Sequence, residues 1–407
     1  SPLSPSILLA RQPIFDSELR VYGYELLYRG EHPFTLDSVG GDSATSQVVM
    51  NALCGVSSDE IVTIPMFINL TEAMLISDQT PPLSPDIVIF EILESVRFSE
   101  MVVNKIHDLK AQGFRLALDD FIWNEQWATL LNIIDFVKID VLQHPAEELQ
   151  QITQSLSGYS CELVAEKVET QQQLDFCKTL GFSYFQGYFL EKPQPIVGKK
   201  IRPQLALIMD IYSALQREHI TAKELAEQIG RDPQLTFQLL RIINSAAFGL
   251  QKKVQNLREA VMLLGMQKLR TWIMIIALAN EKSKPAELLH VLLLRARFAE
   301  LIALHNMPKQ SDSAFLVGLF SGLDALLDLP LNDILKKLPL HDDVVDALTH
   351  RRGALGDLLK NIMAFEHAQW EGFDAEHQNT TLWQESYFSA LKWAREVQTP
   401  LRASGGT

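Results

Sequence analysis

The chain of 407 residues has only three cysteines, Cys54, Cys161 and Cys177. They are far apart and odd in number, which excludes a disulfide framework and a Cys-x-x-Cys metal pair and suits a reducing compartment. Positive charge is scarce as well: 36 Lys and Arg stand against 50 Asp and Glu, a net charge of −14. General adhesion to a nucleic-acid polymer or an anionic membrane is thereby excluded, because both need a cationic face. A small anion held by a local Arg or by divalent metals remains open. No uninterrupted apolar run reaches the length of a membrane span; Thr271–Ala279 is apolar but short, and Glu281 and Lys282 follow it. No basic-then-apolar signal pattern opens the chain, so a cytoplasmic location without membrane attachment is expected.

What is present divides in two, as the length leads one to expect. Up to about residue 198, short runs rich in Val, Ile and Phe alternate with helical stretches. Strands are predicted at Val21–Tyr28, Ile61–Leu70, Ile87–Ile92, Phe114–Phe121, Ile134–Val141, Glu162–Val168 and Tyr184–Leu190. Several are continuous apolar runs, the pattern of strands buried on both faces. Phe98–Gln112 and Thr170–Leu180 read as helices between them. Repeated β-α units favour a TIM-like (β/α) barrel, an α/β fold, with an open doubly wound sheet as second choice. The run EKPQPIVGKKIRP, Glu191–Pro203, then marks a linker. Beyond it strand signals vanish, and Leu205–Gln216, Ala222–Gly230, Leu235–Asn244, Leu257–Gly265, Lys268–Asn280, Ala286–Asn306, Ala314–Leu327 and Leu331–Leu338 read as helices. The expected domains are a barrel over 1–198 and an all-α domain over 199–407. Gln378–Thr407, ending in ASGGT, is expected to include a disordered tail.

The acids of the first half lie at strand ends. Glu25 is in GYELLYR, Asn69 ends MFIN, Glu91 ends IVIFE, and Asp119 and Asp120 end RLALDD. Lys138 and Asp140 end FVKID, Glu166 and Glu169 close LVAEKVE, and Gln186 lies in YFQGY. A single acid after a strand is commonly a helix cap, and Asp140 suits that role. Many strands delivering polar groups to one barrel mouth is a different matter, since active sites are built there. Carboxylates crowded together raise one another's pKa. Divalent cations relieve this, and hard oxygen ligands suit Mg²⁺ or Mn²⁺ rather than zinc. Two ions sharing a carboxylate are suited to in-line attack on a phosphodiester.

In order and spacing, ARQPIFD, GYELLYR, FINLT, FEILES, LALDDF, VKID, AEKVET and FQGYFLEKP resemble the motifs of the EAL domain, a cyclic di-GMP phosphodiesterase barrel. The resemblance covers about residues 8–195. It implies that Glu25, Asn69, Glu91 and Asp119 hold one metal, and that Asp119, Asp120 and Glu166 hold a second. It further implies that Lys138 orients the nucleophilic water, that Arg29 clamps a phosphate, and that Gln12 seats a guanine. Asp140, Glu169 and Gln186 would shape the site. The implied reaction opens cyclic di-GMP to linear pGpG. The chain departs from the family at three places: Leu26 stands in place of Ala, Ile122–Asn124 in place of a Gly-rich loop, and Lys167 in place of Gly. Hydrolysis, and a barrel that binds cyclic di-GMP as a receptor or scaffold without turnover, are therefore both carried forward.

The second half resembles the HDOD domain, through IGRDPQLTFQLLRIINSAAFG and LREAVMLLGMQKLRTWIM. Ser and Gly in FLVGLFSGLDALL stand where a metal-binding HD enzyme would have His. Within this half the one adjacent His-Asp pair, His341-Asp342, reads as a helix cap, and the remaining His residues, His219, His367 and His377 among them, lack ligand spacing. A non-catalytic regulatory module that binds a protein partner is implied, with a homodimer possible for the barrel. Trp272 reads as core, and Arg295 and Arg297 as surface charges on a long helix.

Overall fold

A computed structural model describes residues 7–29, 43–56, 63–78, 83–193, 209, 213, 220–280, 283–373 and 378–403. Most of the predicted linker, the predicted helix Leu205–Gln216 apart from Met209 and Ser213, His219 and His377 lie outside the described residues. The chain divides into two compact units, residues 1–192 with 364–385, and residues 193–363 with 386–407. Residues 364–385, assigned to the helical half from sequence, thus belong to the barrel unit.

Eight strands close that barrel in sequence order: β1 (Leu8–Phe15), β2 (Val21–Arg29), β3 (Met66–Leu70), β4 (Val88–Ile92), β5 (Arg115–Leu118), β6 (Phe136–Asp140), β7 (Glu162–Glu166) and β8 (Tyr184–Gln186). β1 runs antiparallel to both neighbours, β2 and β8, while the pairs from β2 to β8 are parallel. Parallel neighbours require crossovers, and these carry α1 (Ser43–Leu53), α2 (Glu72–Ile76), α3 (Glu100–Ala111), α4 (Glu125–Ala128), α5 (Ala146–Leu156) and α6 (Gln171–Thr179). Local chemistry starts these helices where expected. Ser99 caps α3, and Thr170 with Gln173 forms a capping box on α6, each satisfying backbone N–H groups that lack a helical partner.

Ile14, Phe67, Ile89, Ala117, Phe136 and Val164 pack as a buried cluster, with Tyr22 and Tyr184 against it. Rings interlock there, Phe67 with Phe136 at 5.4 Å between centroids and Tyr22 with Tyr184 at 4.5 Å. The returning segment 364–385 completes the unit. Leu9 donates its N–H to Oε1 of Gln384 at 2.6 Å and accepts from Gln384 Nε2 at 3.1 Å. A side-chain amide thereby pairs with the backbone of β1 as a neighbouring strand would. His367 meets Glu191 at 3.0 Å, and its ring lies 4.1 Å from that of Tyr188.

The second unit is helical: α7 (Ala222–Gly230), α8 (Pro233–Ile243), α9 (Leu257–Ala279), α10 (Ala286–Asn306), α11 (Ser311–Phe320), α12 (Leu323–Leu327), α13 (Leu331–Leu335) and α14 (Asp342–His350), then α15 (Gly353–Glu366) and α16 (Thr380–Ala403), each with its segment of 364–385 in the barrel unit. Asp232 caps α8 with Pro233 in its first turn. Gly265 has φ +77° and breaks α9 into the two helices expected from sequence; a residue with Cβ would be strained there. By length and composition α9 is long and apolar enough to cross a membrane, though half of its apolar window is buried in the protein. His341 occupies the N-cap position of α14 without a side-chain capping bond. Arg295 is 2% exposed and donates to Ser321 at 3.1 Å, so its reading as a surface charge is corrected. Of the stretch expected to include a disordered tail, residues 404–407 lie outside the described residues, while Thr380–Ala403 forms α16. Trp383, Tyr387, Ala390, Leu391, Ala394 and Val397 recur at helical spacing along α16 and are all buried, a periodicity that makes this stretch a packed helix.

Candidate active site

The pleat of the strands builds the site. Side chains alternate between faces, so residues two apart share one. Two residues beyond each member of the apolar cluster stands a polar one: Asn69 after Phe67, Glu91 after Ile89, Asp119 after Ala117, Lys138 after Phe136 and Glu166 after Val164. Gln186 follows Tyr184 in the same way. In β1, which runs the other way, Gln12 precedes Ile14 by two, and its register partner is Glu25. An apolar layer thus carries a polar ring directly above it. Gly187 has φ +149°, and a Cβ there would meet the carbonyl oxygen of Val168 at 2.1 Å; only glycine lets β8 close against the β7 loop and present Gln186.

Lys138 is the centre of the ring. Fully buried, it reaches Glu91 at 2.7 Å, Glu166 at 2.9 Å and Glu25 at 3.2 Å. The ring of Phe67 lies beneath its Nζ, 5.9 Å away. Gln186 donates Nε2 to Gln12 Oε1 at 2.9 Å and to Glu25 Oε2. Burial alone would lower the Lys138 pKa, but the carboxylates of Glu166, Glu25, Glu91 and Asp119 raise it well above the ordinary lysine value. Burial also pushes Glu25 up, yet Lys138 and the Gln186 amide outweigh it and hold the carboxyl below its usual range. In Glu91, burial and the neighbouring Glu25 prevail over Lys138 and raise the carboxyl well above normal. Asp119 is pushed up to about 8, chiefly by burial, with Glu166 and Glu25 adding to it against the pull of Lys138. One lysine does not neutralise this many acids.

Whether divalent cations suit the mouth is answered by its oxygens. Asn69 Oδ1, Glu91 Oε2, Asp120 Oδ1 and Gln186 Oε1 are buried and accept no hydrogen bond. Buried acceptors are ordinarily paired, and hard oxygens of carboxylates and amides are the ligands that Mg²⁺ and Mn²⁺ prefer. The donor set fits.

The remaining predicted residues divide. Asp140 accepts from the N–H of Leu142 at 2.9 Å, the capping role that sequence allowed, and also pairs with Lys167. Glu169 precedes the cap of α6 and pairs with Lys192 at 3.6 Å. Arg29 shares a face of β2 with Glu25, four residues on. Among the described residues, neither Glu169 nor Arg29 makes a hydrogen bond or ion pair with the cluster around Lys138. Asp120, two residues after β5, and Lys167, directly after β7, adopt φ of 48° and 58°. The left-handed region disfavours side chains with a Cβ, which explains physically why glycine suits the position of Lys167. In the loop after Asp120, Ile122 is 65% exposed and Trp123 43% exposed. Trp123 packs near Phe121 and Tyr159, and Asn124 caps α4. The contact of Lys167 with Asp140 escaped the sequence reading, although the departure from glycine at 167 was its visible signal.

The EAL domain model matches residues 46–193 and the HDOD domain model residues 203–377. Over 406 residues the chain is 30% identical to the uncharacterized protein YuxH of Bacillus subtilis, covering 96% of this chain and 98% of that one. Over 404 residues it is 32% identical to the cyclic di-GMP phosphodiesterase CdgJ of Vibrio cholerae, covering 96% and 92%. A solved EAL domain protein from Listeria monocytogenes is similar to 46% of this chain over 87% of its own, at 20% identity and a TM-score of 0.34. With an EAL barrel followed by an HDOD domain, and full-length relatives of this identity, the chain belongs to the EAL–HDOD family.

Proposed function

We propose that the barrel hydrolyses cyclic di-GMP to linear pGpG with two divalent cations, Mg²⁺ or Mn²⁺. The observation that carries this reading is the set of buried oxygens without donors, on Asn69, Glu91, Asp120 and Gln186, around Lys138. Glu25, Asn69, Glu91 and Asp119 would hold one ion, and Asp119, Asp120 and Glu166 the other. Bound cations would neutralise the scissile phosphate and lower the pKa of a water. Lys138 would donate to the attacking water and fix its direction. That water's oxygen bonds to phosphorus, the bond from phosphorus to the ribose O3′ breaks, and a proton reaches O3′. Arg29 would hold a phosphate oxygen, while Gln12, steadied by Gln186, would seat a guanine edge. The HDOD domain would regulate the barrel through a protein partner, and the protein would work in the cytoplasm.

Incubation with cyclic di-GMP and Mn²⁺, followed by chromatography, tests the reading. The wild type should yield pGpG, chelation should stop it, and Glu25→Ala should slow it by at least about a hundredfold, since even indirect supports of metal sites cost ~10–100-fold. A second reading, a receptor that binds without cleaving, is favoured by Lys167, which places a further cation on Asp140 beside the metal ligands. Binding by calorimetry with no pGpG from the Mn²⁺-loaded protein would replace the first reading by the second.

A further inference from the structure

The helical unit contains a cavity of about 460 Å³, within the ~300–1,000 Å³ range of small-molecule sites. One wall is aromatic and continuous. Phe248 meets Trp272 at 4.9 Å between centroids, Trp272 meets Trp393 at 5.9 Å, and Trp393 meets Phe315 at 5.9 Å. Trp272, read from sequence as core, is indeed nearly buried but has an edge on this space. The polar lining is cationic. Lys268, Arg270, Arg297 and Lys309 face it, against the carboxylates of Glu300 and Asp312. In a chain of net charge −14 such a local excess of positive charge is not what average composition delivers.

Arg297 links the two features. Its guanidinium lies over the Trp393 ring, 5.7 Å from the centroid, and binds Glu300 through one amino group. Its Nε is buried and has no acceptor. Burial pushes the Glu300 carboxyl above its ordinary value, against the pull of Arg297. An aromatic face stacks a planar ring, and guanidinium and ammonium groups hold phosphate. We propose that this cavity of the helical unit binds a nucleoside phosphate, its base against Trp272 and Trp393 and its phosphates toward Lys268, Arg297 and Lys309. The site is separate from the barrel and does not depend on what the barrel does.

Titration of the full-length protein in EDTA tests it, with ATP, GTP and inorganic phosphate as probes, followed by tryptophan emission and calorimetry. ATP or GTP should quench emission saturably, and phosphate alone should not. Lys268 and Lys309 are both exposed, so K268E/K309E should unfold at the wild-type temperature yet bind the nucleotide at least about tenfold more weakly. Trp393→Phe keeps a ring and should retain binding with a smaller fluorescence change. Absence of saturable binding by calorimetry up to about 1 mM of either nucleotide, binding of phosphate as tight as that of the nucleotide, or unchanged affinity in K268E/K309E would overturn the proposal.

Discussion

At the barrel mouth the buried groups without hydrogen-bond partners are acceptors, the side-chain oxygens of Asn69, Glu91, Asp120 and Gln186; in the helical cavity the Nε of Arg297 is a donor without one. The two units therefore leave opposite kinds of polar group unanswered. Strands supply the first through the pleat, which brings one polar residue from each of many strands to a single level. Helices supply the second by bringing basic residues of α9 and α10 beside a tryptophan of α16. An unpaired buried polar group costs about 1–3 kcal/mol, so a protein that retains several in one place is shaped for something that pairs with them. Oxygens call for a cation, and a guanidinium for an anion. Many other buried polar groups among the described residues are paired: His290 meets Gln398 at 2.8 Å, Lys284 meets Asp328 at 2.7 Å, and Gln384 meets Leu9.

The contrast is tested most severely at Lys138. Lys138→Met keeps the length of the side chain and removes the cation from three carboxylates. Breaking a buried charge pair costs about 3–5 kcal/mol, and the expected loss in chelator is of that size, read from the urea midpoint. Added Mn²⁺ should restore much of it, because metal then neutralises the same oxygens. A variant as stable as wild type in EDTA would show that the mouth needs no cation, and would remove the difference between the two units.

The mouth was legible from sequence because the strands are short, apolar and end in acids, so each polar residue could be assigned without knowing its neighbours. Its pairings were not legible. Lys138 meets Glu25 across 113 positions of sequence, and only barrel closure brings them together. Burial of Arg295 was hidden for a related reason: a charge within a long helix reads as solvated until Ser321, at the C-cap of α11, meets it. The cavity of the helical unit was invisible because its aromatic wall is assembled from Phe248, Trp272, Phe315 and Trp393, none of which stands out alone. The return of 364–385 to the barrel was missed because the contact of Gln384 with Leu9 spans 375 positions.

That return gives a test of intermediate size. Gln384→Leu preserves shape but strands the N–H and carbonyl of Leu9, for an expected loss of about 2 kcal/mol in the unfolding of the barrel unit. If stability is unchanged, the groups at Leu9 belong with the tolerated unpaired ones of the mouth, and the distinction between paired scaffold and unpaired site blurs.

The smallest effect concerns Lys167, where scaffold and site overlap. Its left-handed backbone stores about 1 kcal/mol that glycine would release. Glycine in turn loses the ion pair to Asp140, in which the Lys167 side chain is 60% exposed; a pair so exposed contributes ~0–1 kcal/mol and is screened by salt. The two contributions nearly cancel at low ionic strength. At ~1 M NaCl, where the Debye length is about 3 Å, only the backbone gain remains, and Lys167→Gly should exceed wild type by about 0.5–1 kcal/mol. Stability measured across a salt series separates the cases. A gain that grows with salt means that Lys167 was held in place by charge at the edge of an acidic site, whereas a loss independent of salt means that its side chain packs as scaffold.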